Sequence, residues 1–262
     1  MRGLFVTGTG TGVGKTVVAG AIAAAIVARG TRVAVFKPVV TGLDDPHDPD
    51  WPPDHELLAM ASGGGQGLQR PADHDRDRDH DRDHDRDHDH HRDHDQRIDP
   101  SADDVAPRRF GPAVSPHLAA GLAGEPLDPA ELVAAARARA TTADVIIAEG
   151  VGGLLVPLTL GYSVRDLALD LGLPLVIAAR PGLGTINHTL LTVEAARAVG
   201  LNVAGIVMTP WPADPSGIQR SNRDTVARLA GVEVSTLPQI ARAEPQLLAA
   251  AGDGLPLTSW LR

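Results

Sequence analysis

The run Gly8-Thr9-Gly10-Thr11-Gly12-Val13-Gly14-Lys15-Thr16 constrains this chain more than any other feature, because it follows a short apolar stretch and opens an alanine-rich helical pattern. Glycines let a backbone turn its N–H groups inward around phosphate oxygens, and a helix N-terminus adds its positive dipole to the same point. Lys15 is placed to neutralise the β- and γ-phosphates and Thr16 to offer a hydroxyl to magnesium. A glycine turn that served only to reverse the chain would not need Lys-Thr there. The run is therefore expected to bind a nucleoside triphosphate through Gly12, Val13, Gly14, Lys15 and Thr16.

Apolar runs at 4–7, 32–36, 144–148, 174–179 and 203–208 read as buried strands, and each is followed by a glycine-bearing loop and a helical pattern. That alternation predicts an α/β fold with a doubly wound, mostly parallel sheet of the P-loop NTPase type. Aromatic residues make up only 3% of a chain that is 43% hydrophobic, so Ala, Val, Leu and Ile must build the core. Asp128-Pro129-Ala130-Glu131 reads as an N-cap, a first-turn proline and a capping-box Glu, while Ser115-Pro116-His117 opens another helix. At 262 residues one domain is expected over 1–262, interrupted by an insert at 66–98.

The insert is a low-complexity Asp/His/Arg repeat in which 73–97 carry eleven Asp, six Arg and seven His. With no aliphatic residue between Ala72 and Ile98 it cannot bury enough surface to offset its ordering entropy, so a disordered, solvated loop is expected. Metal buffering by its His and Asp is the alternative, although strict alternation matches no closed tetrahedral spacing. A net charge of −9 argues against non-specific nucleic-acid binding, and five of those charges lie in 73–97. No cysteine is present, which excludes disulfides, zinc-thiolate sites and thiol nucleophiles and suits a reducing compartment. Met1 leads straight into the first strand, and no apolar run reaches membrane-spanning length, so a cytoplasmic protein with no membrane partner is expected.

Three further positions stand out. Glu149 closes the strand-like run 144–148 and delivers a carboxylate to the sheet edge where the loop sits, and a buried Glu without a partner would be costly, so contact with magnesium explains it economically. Lys37 ends a neighbouring strand and brings a second positive charge to that edge. Asp54 follows Pro52-Pro53 and precedes an Ala/Leu helix, where it could serve as an N-cap.

The loop departs from the usual Walker spacing, since five residues instead of four separate Gly8 from Gly14. In this respect it resembles the dethiobiotin synthetases, ligases that close the ureido ring of dethiobiotin from 7,8-diaminopelargonic acid and carbon dioxide. Lys37-Pro38-Val39, Ser115-Pro116-His117, Glu149-Gly150-Val151-Gly152-Gly153 and Gly184-Thr185-Ile186-Asn187-His188 recur in that family's order, so the resemblance covers the chain outside the insert. It implies ATP as co-substrate, magnesium on Thr16, Asp54 and Glu149, and Lys37, Lys15 and Thr11 as catalytic groups. It places the nucleotide also against Gly150, Val151 and Gly152, and the substrate beside Thr41.

The resemblance further implies a homodimer in which Gly184 and Asn187 receive the substrate carboxylate across the interface. Where many members carry Asn-Asp to read adenine, this chain has Thr209-Pro210, so weak selection among nucleoside triphosphates is expected. Gly12 stands where some relatives have Glu. Two other readings share the fold. A glutamine-dependent amide ligase would need a Cys this chain lacks, and a partition-type ATPase switch would carry an additional lysine where Thr9 and Gly10 stand.

Overall fold

A computed structural model describes residues 1–46, 48, 50–63 and 101–262. The insert at 66–98 lies outside the described residues, so neither its solvated nor its metal-binding reading is addressed by the fold. In chain order the elements are β1 (Gly3–Gly8), α1 (Lys15–Ala28), β2 (Val33–Phe36), α2 (Asp54–Ala61), α3 (Ala102–Val105), α4 (Pro116–Ala123), α5 (Pro129–Ala140) and β3 (Val145–Glu149). There follow β4 (Pro157–Thr159), β5 (Tyr162–Ser163), α6 (Val164–Leu171), β6 (Leu175–Ala179), α7 (Thr185–Arg197) and β7 (Val203–Trp211). The chain closes with α8 (Gly217–Ala230), β8 (Val234–Pro238), α9 (Pro245–Gly252) and α10 (Leu257–Trp260).

Six strands form one sheet in the order β2-β3-β1-β6-β7-β8, with every neighbouring pair parallel. Side chains alternate across such a sheet, and the strands show it. Leu4 and Val6 of β1 face the layer containing α1, α2 and α9, whereas Phe5 faces α4, α5 and α6. On β2, Val33 and Val35 take the first side and Ala34 and Phe36 the second. Ile177, Ile206 and Met208 pack on α7 and α8 through Val193, Val226 and Ala230. Helices thus cover both faces, which is why the strands are apolar throughout instead of alternating with polar residues.

The expected doubly wound fold is present, with differences in detail. Arg32 and Asp144 lie just ahead of β2 and β3 and pair with each other at 2.9 Å, so they tie the strand starts and do not belong to them. The sixth strand β8 and the antiparallel pair β4/β5 were not anticipated. Val234-Ser235-Thr236-Leu237-Pro238 is mostly half-buried at the sheet edge and lacks the aliphatic density of the other strands. The capping box at α5 is corrected: Asp128 caps by accepting from Ala130 N at 2.7 Å, but Glu131 turns away and accepts from Arg108 at 2.9 Å. An ion pair on the helix flank has displaced the reciprocal cap.

Candidate active site

The phosphate loop leaves the sheet between two neighbours. Register pairs Val6 with Glu149 on β3 and Gly8 with Ala178 on β6, so the loop opens with Glu149 on one side and the end of β6 on the other. Gly12 and Gly14 have φ of 67° and 89°, a left-handed conformation that costs a side-chain-bearing residue roughly 1 kcal/mol or more. Gly14 is required twice over, because a Cβ there would come within 2.7 Å of Thr209 Cγ2. Gly14 also occupies the N-cap position of α1, and no side chain caps the first turn, whose N–H groups are left for an anion.

Beneath the loop lies a buried charge cluster. Lys37 is 3% exposed and donates to Asp54 Oδ2 at 2.5 Å and to Glu149 Oε1 at 2.7 Å. Burial works against its charge, yet Asp54 and Glu149 outweigh burial and raise its pKa above the ordinary lysine range. Glu149 is fully buried, and burial raises its carboxyl pKa against the pull of Lys37. Asp54 sits at the lip with its side chain half-exposed; partial burial pushes its pKa up, but Lys37 and the Thr16 hydroxyl prevail and hold it below the usual carboxylate range. Lys15 is buried and donates to Gly10 O at 2.9 Å; desolvation lowers its pKa, offset in part by Glu149.

Thr16 Oγ1 stands 2.9 Å from both Asp54 Oδ1 and Glu149 Oε1. A hydroxyl carries one hydrogen and donates to only one of them at a time, so three oxygens crowd a point where a shared cation would relieve them. Glu149 Oε2 is buried and has no hydrogen-bond partner. An all-oxygen set with an orphaned carboxylate oxygen fits magnesium, which takes one or two carboxylates and completes its shell from phosphates and water. Asp54 is accordingly no N-cap: Pro53 holds that position, Asp54 is the first residue of α2, and its carboxylate is spent on Lys37 and Thr16.

A cavity of about 800 Å³ opens from this cluster. Of the residues expected from the sequence, Thr11, Gly12, Gly14, Lys15, Thr16, Lys37, Thr41, Asp54, Glu149, Val151 and Gly152 line it. Thr11 and Gly152 face each other, since a Cβ on Gly152 would lie 3.6 Å from Thr11 Oγ1. Others stand apart. Val13 is buried in the core, so only its backbone faces the loop interior. A Cβ at Gly150 would come within 2.6 Å of Val164 and 3.1 Å of Phe5, which sets that residue against the packed wall behind the cavity. Thr209 is 2% exposed and lies under Gly14, while Pro210 is exposed beyond it.

Gly184 and Asn187 are exposed at the start of α7 and do not line the cavity of their own chain. Leu183 beside them is 99% exposed and Leu160, between β4 and β5, is 93% exposed.

Two features escaped the sequence reading. Trp51 and Val114 help wall the cavity from connecting segments with no periodic pattern to mark them. Arg180 follows β6 directly and its Nε and Nη2 donate to Gly12 O at 2.9 and 2.6 Å. Its position at the C-terminal end of an apolar run was the available signal, because ligands of open α/β sheets bind at that edge.

A family model described as an AAA domain matches residues 2–246. The ATP-dependent dethiobiotin synthetase BioD of Anaeromyxobacter dehalogenans strain 2CP-1 is 39% identical over 92% of this chain and 93% of its own length. The enzyme of the same name from Rhodococcus erythropolis is 39% identical over 87% of this chain and 84% of its own. That of Bacillus subtilis is 33% identical over 89% and 85%. Among solved structures, a ParA family ATPase from Chlorobium tepidum superimposes with a TM-score of 0.50 over 97% of this chain and 92% of its own, at 13% identity. At that identity the likeness is one of fold.

Proposed function

The chain belongs to the ATP-dependent dethiobiotin synthetase family, and we propose that its buried Lys37–Glu149–Asp54 cluster is the centre at which that ligase reaction is carried out with magnesium. It is an enzyme that uses ATP to close the ureido ring of dethiobiotin from 7,8-diaminopelargonic acid and carbon dioxide. The partition-type switch and the glutamine-dependent ligase draw no support from these relatives.

The observation that carries the assignment of the centre is that a second buried lysine, Lys37, from a different element than the loop's buried Lys15, donates to both Asp54 and Glu149 beside the phosphate loop. A hydrolytic P-loop protein needs the loop lysine for its nucleotide. The second lysine suits a reaction in which a further anion, a substrate carbamate, must meet the γ-phosphate. One amine of the substrate takes up carbon dioxide, and the carbamate oxygen attacks the γ-phosphorus while ADP leaves. The second amine then attacks the activated carbonyl carbon and inorganic phosphate departs. Lys15 and the loop N–H groups hold the triphosphate, while Lys37 aims a preorganised charge at the developing phosphoryl and carbamate oxygens. Thr11 and Thr41 add hydroxyl-bearing side chains to the cavity lining. Magnesium, held by Thr16, Asp54 and Glu149, would supply charge neutralisation at the transferring phosphoryl group.

Assembly follows from the same reading. Gly184 and Asn187 sit away from their own cavity beside the exposed Leu183, an arrangement that supports a homodimer in which each chain lends this helix start to the substrate carboxylate of its partner. Thr209 is used to pack beneath Gly14, which supports a weakly base-selective enzyme. Among the described residues no helix is long and apolar enough to cross a membrane, and the absence of cysteine is consistent with action in the cytoplasm. The deciding assay combines purified protein, diamine, bicarbonate, magnesium and each nucleoside triphosphate in turn, with dethiobiotin measured directly. Formation with several nucleotides is expected, and none with any of them would remove the reading.

A further inference from the structure

Arg180 reaches over the phosphate loop from outside the motifs singled out in the sequence. β6 delivers it there, because the sheet continues past β1 into the loop with Thr9 N donating to Ala178 O at 3.0 Å. Two residues on, the guanidinium grips one carbonyl, that of Gly12, with both Nε and Nη2. A peptide unit is planar and trans, so a carbonyl held on one side turns the following N–H to the other. The following residue is Val13, whose buried side chain leaves its N–H as the group able to serve a phosphate. Arg180 is itself held in place, since the next two carbonyls, of Pro181 and Gly182, both accept from the buried Asn222 Nδ2 at 3.1 Å. Among the described residues no carboxylate pairs with Arg180, so its charge stays uncompensated beside the loop.

We propose that Arg180 is a positioning residue for the nucleotide: it sets the Gly12–Val13 peptide so that the Val13 N–H faces the triphosphate, and it adds positive charge beside the loop. The proposal rests on the phosphate-loop reading and concerns the polyphosphate, not the diamine. It separates from a general structural role because its effect falls on one substrate only.

The test compares Arg180→Ala and Arg180→Lys with the parent protein by equilibrium titration with magnesium-ATP, by KM for ATP and for the diamine, and by thermal unfolding. In Arg180→Ala the ATP affinity should fall about tenfold, the expected effect of losing a charge-assisted hydrogen bond at a solvated site, with KM for ATP following it. KM for the diamine should stay within about twofold, and Tm should be unchanged because Arg180 is exposed. Arg180→Lys should recover only part of the affinity, since one ammonium cannot make the forked contact. Guanidinium ion at low millimolar concentration should restore Arg180→Ala more than potassium at equal ionic strength. An ATP affinity within about twofold of the parent would overturn the proposal, as would an equal rise in both KM values. Full recovery by Arg180→Lys would overturn the positioning role. Direct ATP titration does not require ring closure, so failure of the parent to make dethiobiotin would count against the proposed function and leave this test able to decide Arg180.

Discussion

The buried charge cluster and the exposed start of α7 are both expected to touch the same substrate, yet they are built on opposite terms. Lys37 donates to both Asp54 and Glu149 with Lys15 buried nearby inside a single chain, two cations with two anions, and the short Lys37 ion pairs offset desolvation costs. At the other region Leu183 is 99% exposed. Covering a leucine side chain is worth about 2 kcal/mol, and Leu183 does not gain it within its own chain. The difference teaches that the phosphate end of the site is preorganised before anything binds, whereas the start of α7, proposed as the carboxylate end, leaves Leu183 uncovered within its own chain.

The strongest challenge to that contrast is Lys37→Ala. Losing a preorganised charge aimed at the transition state should lower turnover by about 10²–10³-fold, while ATP binding persists through Lys15, Thr16 and the loop. Ring closure and ATP titration on the same preparation check this, and turnover within about threefold of the parent would make Lys37 a structural counter-ion only.

Glu149→Ala tests how far the interior depends on internal neutrality. It removes the buried anion beside Lys37 and Lys15, and an uncompensated buried charge should cost about 3 kcal/mol of folding stability, read by urea unfolding. A similar loss in Asn187→Ala would erase the distinction between the two regions, since an exposed helix-start residue should change stability by less than about 0.5 kcal/mol.

A mixing experiment addresses the exposed region directly. Lys15→Ala and Asn187→Ala subunits, each inactive alone, should form heterodimers with one intact site if the α7 start serves the partner. Random pairing at equal amounts then restores about a quarter of parent activity, because half the dimers carry one good site of two. Demonstrated heterodimers with no activity would place the whole site within one chain.

The smallest effect lies at the rim of β5. Tyr162 is the one tyrosine of the chain, and partial burial together with its hydrogen bond to Asp170 Oδ2 at 2.6 Å raises its pKa. A raised folded pKa means that the Tyr162 proton contributes stability in full below the unfolded value of about 10 and that this contribution is lost as pH rises through and beyond it. Phenolate absorbance should therefore appear later than in the unfolded chain, and Asp170→Asn should bring it earlier. Coincident titration of folded and unfolded protein would show that the hairpin provides no fixed environment.

Much of this molecule is determined locally. Five of the six parallel strands, the phosphate loop and the two lysines follow from residues whose chemistry is declared by neighbours: apolar runs of strand length, glycines that must take left-handed φ, and Lys-Thr at a helix start. β8 was not legible, because an edge strand half in solvent needs no aliphatic density. Glu131 was misread because capping and ion pairing use the same carboxylate, and only the approach of Arg108 chose between them. Asp54 could have capped α2 from its sequence position; the nearness of Lys37 and Thr16, from two other elements, committed it to the charge cluster. Arg180 belongs with these. Its sequence context is an ordinary strand end, and parallel pairing of β1 with β6 is what carries it to Gly12. Sequence determines the contacts that a few consecutive residues make among themselves, while partners from different elements, from Lys37 with Asp54 to Arg180 with Gly12, are chosen by how the sheet order and the packed helices bring those elements together.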